Sequence, residues 1–169
     1  MMTLKPYLII LLFLTCYSAQ GMSMPFLTHP PEEVVIFSPL QGQITYHGKP
    51  VTNAKITRWL KWKDEEGETE TFFTDENGYF DLPIKTDVVT LGKFSTFVMA
   101  QKINVFSNGE KYPIWIMGKG SKVKFGELGG IATNLHCELK NDINRVEVKD
   151  GLLGTNCTWK LIKDDEGDE

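Results

Sequence analysis

Side chains able to do chemistry are sparse and scattered in this 169-residue sequence. Its 3 histidines, His29, His47 and His136, fall in a proline-rich segment, a turn and an outward strand position. A zinc site needs three or four convergent donors, and no HxH, HxxxH or CxxC spacing occurs. No GxSxG elbow is present. Cys137 beside His136 is a poor nucleophile and base, because neighbours along a strand point to opposite faces. The expectation is a chain with no catalytic residue, no metal ligand set and no cofactor.

What would have to position any functional residue begins behind an export signal. Lys5, the apolar run Tyr7 to Thr15 and the small residues after it have the three-part layout of a secretory signal peptide over residues 1–21, with cleavage after Ala19 or Gly21. Cys16 offers a second reading, as an acylated lipoprotein cysteine that would bring the chain to a membrane, although Phe13 and Thr15 suit that peptidase poorly. Residues 22–33, with Pro25, Pro30 and Pro31, read as an extended linker. A domain over 34–162 and a disordered acidic tail over 163–169 complete the chain. Loss of Cys16 with the signal leaves Cys137 and Cys157, and cysteines in an exported chain tend to pair. Both lie on apolar faces, Cys137 with Leu135 and Leu139, Cys157 with Trp159 and Leu161, so both thiols are expected in the core. Two buried free thiols are the alternative.

The domain reads as strands joined by turns. Val34 to Phe37 suits a short edge strand ended by Pro39. From Gly42, Ile44 and Tyr46 share one face, and HGKP turns the chain. Ala54, Ile56, Arg58, Leu60 and Trp62 then alternate with Lys55, Thr57, Trp59, Lys61 and Lys63, and DEEG closes a hairpin. Phe80 and Leu82 follow the turn TDENG. Phe94 to Phe106 pairs with Lys111 to Met117 across Asn108-Gly109, a strong hairpin signal. Gly118, Gly120, Gly126, Gly129 and Gly130 mark an irregular crossing, with one candidate helical turn at 125–128. Strands around 135–139, 145–149 and 157–162 close the domain, the last two joined by DGLLGTN. The expected fold is an all-β antiparallel sandwich of about seven to nine strands.

The elements Gly42-x-Ile44, Gly48-x-Pro50-Val51, Ala54-x-Ile56 and Thr74-Asp75-x-Asn77-Gly78-Tyr79-Phe80-x-Leu82-Pro83 resemble the carboxypeptidase regulatory-like domains, whose fold is like transthyretin. Phe37-Ser38 is similar to the opening of an uncharacterised group of exported bacterial proteins. The resemblance implies a scaffold and is nearly silent on function, since each element is a turn or a core residue. Enzymes of similar shape do not fit: hydroxyisourate hydrolases end in Tyr-Arg-Gly-Ser, and intradiol dioxygenases hold iron with Tyr and His clusters. Asp75 to Gly78 lacks the later oxygen ligands of a calcium loop and reads as a plain turn. The resemblance implies a bacterial source, in which the NCT triplet at Asn156 is a chance glycosylation acceptor.

The formal net charge of -4 argues against nucleic acid as a partner. With Trp62 on the core side, Trp59 is left among Lys55, Lys61 and Lys63, which suits a protein interface or sugar stacking; packing under a loop is the bland alternative. Tyr112 and Trp115 form a second candidate patch, or fill the core. The expected function is a non-catalytic exported module binding a protein partner in the periplasm or at the cell surface, such as an immunity protein against a secreted toxin. A structural or carbohydrate-contacting envelope domain is the alternative.

Overall fold

Alternation at period two and turns rich in residues that tolerate left-handed backbone make neighbouring strands pair. The computed structural model describes residues 29–93 and 95–163. The expected signal peptide 1–21 with Cys16, the expected linker through 28, Phe94 and the expected tail from 164 lie outside the described residues. Strand β1 (Glu32–Phe37) precedes β2 (Leu40–Tyr46), β3 (Lys49–Pro50), β4 (Lys55–Lys61), β5 (Glu68–Phe73), β6 (Tyr79–Leu82) and β7 (Lys85–Val89). The hairpin β8 (Met99–Ser107) and β9 (Glu110–Lys119) follows, then β10 (Ile131–Glu138), β11 (Asn144–Val148), β12 (Gly151–Thr155) and β13 (Cys157–Ile162). Among the described residues there is no helix.

One layer is a six-stranded sheet in the order β11-β12-β9-β8-β4-β5; the other is five-stranded, β13-β10-β2-β3 with β6 also against β2. β1 and β7 form a separate two-stranded ribbon. Ile44, Leu82, Leu135 and Cys137 from the smaller sheet join Ile56, Leu60, Ile103, Trp115 and Leu153 from the larger one in a single core that also takes Val34, Ile36 and Phe37. The fold is thus the expected all-β sandwich. All pairings are antiparallel except β2 with β10, which is parallel over Gly42–Thr45. Gly42 permits that approach, because a Cβ there would lie 2.9 Å from the Leu135 carbonyl oxygen.

The irregular crossing between β9 and β10 is held by a buried polar network centred on Glu127. Its Oε1 accepts from Ser38 N–H (3.0 Å), Gln101 Nε2 (3.2 Å) and Lys119 Nζ (3.0 Å), and its Oε2 accepts from Ser38 Oγ (2.6 Å). Lys119 also donates to the carbonyls of Val35 and Val123, and Ser38 Oγ accepts from Phe125 N–H at 2.7 Å. The turn expected at 125–128 is present, Gly129 N–H donating to the Phe125 carbonyl at 3.0 Å. Among the described residues no buried side-chain polar atom lacks a partner, as a low-dielectric interior requires.

Several elements differ from the sequence expectation. Among the described residues there are thirteen strands where about seven to nine were expected. DGLLGTN is mostly strand β12, which pairs with both β11 and β9 and buries Leu153; its flanking glycines disguise it. The β8 hairpin arm starts at Met99, because Met99 pairs with Lys119, the last residue of β9. Strand β1 begins at Glu32 rather than Val34, since Glu32 finds Val89 of β7 as its partner. On β13 only Cys157 is fully buried; Leu161 is 52% exposed because β13 is the edge strand, paired to β10 alone.

Cys137 and Cys157 are directly opposed on β10 and β13 and form a disulfide. The chain changes layers at Asn156: Thr155 Oγ1 donates to the Ile114 carbonyl (2.7 Å) and accepts from Cys157 N–H (3.0 Å). The bridge therefore staples the last strand immediately after it leaves the larger sheet. Asn156 is buried, which closes the NCT triplet to modification in the folded chain. Replacing both cysteines with alanine is expected to lower unfolding free energy by about 2–4 kcal/mol in urea titration; unchanged stability would show that the staple carries no strain-free constraint on the unfolded chain.

One residue beyond Cys137, at the end of β10, Glu138 closes the His47-Gly48 turn. Burial pushes its carboxyl up, but hydrogen bonds from the N–H groups of Gly48, Lys140 and His47 and from Thr45 Oγ1 outweigh this and hold it at about 2. A folded-state value below the ordinary 4.5 means the stabilisation is complete above pH 4.5 and is lost as pH falls toward 2. The urea midpoint of the wild type should therefore fall more steeply over that window than that of Glu138→Gln; parallel profiles would contradict the assignment.

Candidate functional site

Strand alternation sends Ile56, Arg58 and Leu60 of β4 inward and Lys55, Thr57, Trp59 and Lys61 outward. The same rule turns Lys102 and Phe106 of β8 outward, opposite buried Gln101, Ile103 and Val105. Strand register then sets these side chains in rows. One row across β5, β4, β8 and β9 is Phe73, Lys55, Phe106, Lys111; another is Thr69, Trp59, Lys102, Ile116. Phe73 is 59% exposed, Ile116 41% and Phe106 37%. This outer face of the six-stranded sheet is an open surface of lysines and large apolar side chains.

Its geometry is fixed by the β4–β5 loop. Asp64 Oδ1 accepts from the N–H groups of Glu66 (3.1 Å) and Gly67 (2.7 Å), and Trp59 Nε1 donates to the Glu66 carbonyl at 2.9 Å. Gly67 has φ +72°, and a Cβ there would lie 2.6 Å from the Leu60 carbonyl and 2.8 Å from Trp59 Nε1. The indole edge is thus locked to the loop, while Lys102 Nζ stands 5.2 Å from the ring centroid. Lys55 Nζ is similarly 5.7 Å from the Phe106 ring, both within cation–π range. Lys61 pairs with Glu65 at 2.8 Å.

The other residues picked out by sequence fall elsewhere. Lys63 leaves the Trp59 face: it lies 4.7 Å from the Trp62 ring and bonds Glu68 at 2.6 Å. That hydrogen bond raises the Lys63 pKa and lowers that of Glu68, which also accepts from Lys85. Trp62 lies on the core side as expected, half-buried, its Nε1 bonded to Asp87. Trp115 belongs to the core at 2% exposure, bonded to Gln101 and edge-on to Phe37 at 6.3 Å, so it offers no surface. An extra residue at the β8–β9 bulge, between the Pro113 and Trp115 pairings, turns it inward. Tyr112 is half-buried on the inner side beside Tyr46, and its bond to Glu110 raises the phenol pKa. The second surface patch expected of Tyr112 and Trp115 is therefore absent: Trp115 fills the core and Tyr112 packs against it, as the alternative reading had it.

The inner side of the same sheet spends its charges internally. Arg58 is sandwiched between the rings of Phe37 (4.8 Å) and Phe72 (5.1 Å) and bonds Glu70 and the Pro83 carbonyl. The Asp75 carboxylate is engaged by its own turn, through the N–H groups of Asn77 and Tyr79 at 2.8 Å each. Among the described residues no three His, Cys, Asp or Glu side chains converge as metal ligands. Phe73 was within reach of the β4–β5 hairpin reading and was missed, whereas Lys102, Phe106 and Ile116 were not readable as members of the face, because β4 meets β8 through a pairing remote in sequence. The only local signal was the β8 alternation itself.

Residues 40–142 match the family described as Domain of unknown function (DUF6795). The chain belongs to this family. No curated protein and no solved structure matches it. The DUF6795 segment contains all of β4, β5, β8 and β9, hence the whole lysine-aromatic face, and also Gln101, Lys119 and Glu127 of the buried network. Cys157 and strands β11–β13 lie beyond it.

The tryptophans separate these roles. Trp115→Ala should cost about 3–5 kcal/mol of stability and Trp59→Ala about 1 kcal/mol, read from urea unfolding. Equal costs would mean that Trp59 is a core residue.

Proposed function

We propose that this DUF6795 protein is a non-catalytic, exported binding module that recognises a protein partner in the periplasm or at the cell surface. The observation that carries the reading is the outer face of the six-stranded sheet, where exposed Phe73, Phe106 and Ile116 and half-buried Trp59, its indole edge against the 64–67 loop, stand among lysines. An exposed aromatic cluster on a rigid sheet with a polar surround has the composition of an interface core and rim. The Cys137–Cys157 bridge supports export, since such bonds persist in oxidising compartments.

The transthyretin-like relationship belongs to the same reading. Its motif residues act as scaffold: Gly42 admits the parallel strand, Gly48 and Gly78 take left-handed backbone, and Asp75 caps its turn. An antagonist of a secreted toxin is one concrete form of such a module, because masking another protein needs a surface and no chemistry. The carbohydrate alternative loses one platform with the burial of Trp115.

Site-specific photocross-linking in the native envelope tests this. A p-benzoylphenylalanine replacing Phe106 should yield a discrete protein adduct, and one replacing Leu161 on the opposite sheet should not. Adducts from position 161 alone, or from neither, would count against the proposal.

A further inference from the structure

Resting on that reading of the face as a binding surface, we infer that its partner is a protein presenting carboxylates around exposed apolar side chains. The chain as a whole is acidic, with Asp+Glu 22 against Lys+Arg 18. Yet no Asp or Glu occupies an outward position of β5, β4, β8 or β9; Glu68 and Glu70 of β5 face inward opposite Leu60 and Arg58. Acids reappear at the border, at Asp64, Glu65 and Glu66 in the hairpin loop, at Glu110 where the β8–β9 turn enters β9, and at Glu147 on β11.

The cations on the two sides are treated differently. On the inner side Arg58, Lys85 and Lys119 each have a carboxylate at 2.7–3.0 Å. On the outer face Lys61 has Glu65, while among the described residues Lys55, Lys102 and Lys111 have none within 4.0 Å. A face of uncompensated lysines attracts an acidic surface and rejects a basic one. Lys55 and Lys111 are separated by Phe106, two strand spacings or about 10 Å, so matching carboxylates would straddle an apolar contact.

A neutral sugar finds less here. The Trp59 ring already carries the Lys102 ammonium and its indole edge is closed by Gly67, so no free stacking plane is presented.

The full chain should be titrated by fluorescence anisotropy with labelled 12-residue peptides alternating Glu and Phe, Gln and Phe, or Lys and Phe, with alginate oligomers, and with phosphatidylglycerol vesicles. The Glu-Phe peptide is expected to bind about tenfold tighter than the Gln-Phe peptide, about 1.4 kcal/mol, and to weaken at high salt. Lys55→Gln/Lys102→Gln/Lys111→Gln should lose that advantage with an unchanged melting temperature. Equal binding of the Gln-Phe peptide, an unaffected triple variant, or no binding by any peptide would overturn the acidic-partner assignment. Tighter binding of alginate or vesicles would also overturn it, giving the face to a polyanionic sugar or a membrane. A cross-linked adduct from position 106 would still uphold the binding reading in each of those cases.

Discussion

The buried carboxylate of Glu127 is the point where four separate parts of the chain meet. It holds Ser38 between β1 and β2, Gln101 on β8, Lys119 at the end of β9 and the crossing that carries Glu127 itself. Burial pulls the Lys119 ammonium toward its neutral form, against the attraction of Glu127. Such a pair contributes little net stability by itself, but leaving one member unpaired costs about 3–5 kcal/mol. The Gln101 amide is oriented within the same network, its Nε2 donating to the Ile36 carbonyl and to Glu127 and its Oε1 accepting from Trp115 Nε1. Strand β1 and the crossing are thereby clamped to the inside of the six-stranded sheet.

That clamp explains the division between the two faces of the sheet. The inner face closes on itself through Arg58, Gln101, Lys119 and the apolar core, and among the described residues no buried side-chain polar atom lacks a partner. The outer face has no comparable closure. Its lysines rest on aromatic rings and its loop locks Trp59 in place, so the surface is held ready at little entropic cost. Preorganisation of this kind favours recognition of a rigid partner.

Local chemistry made the turns legible. His47-Gly48 and Asn108-Gly109 both have positive φ at consecutive residues, as two-residue hairpins demand, and Asp75 and Gly78 shape the TDENG turn. The burial of both cysteines and of Phe80 and Leu82 followed from alternation, while the pairing itself was expected from two cysteines in an exported chain. Strand order did not, because β4–β8, β2–β10 and β9–β12 join segments far apart in the chain and nothing local encodes their register. The same limitation misplaced Trp115, whose direction depends on one bulge, and hid Lys102 from the candidate face. Glu127 gave no signal at all, lying in a glycine-rich stretch without periodicity.

The outer face of the six-stranded sheet is the surface proposed to engage a ligand. Amide chemical-shift mapping of the isotope-labelled chain during titration with the Glu-Phe peptide tests this most directly. Perturbations confined to β4, β8, β9 and the 64–67 loop, with β10 and β13 unmoved, are the predicted result. Perturbations centred on β10–β13, or on the groove between β5 and β6, would contradict it.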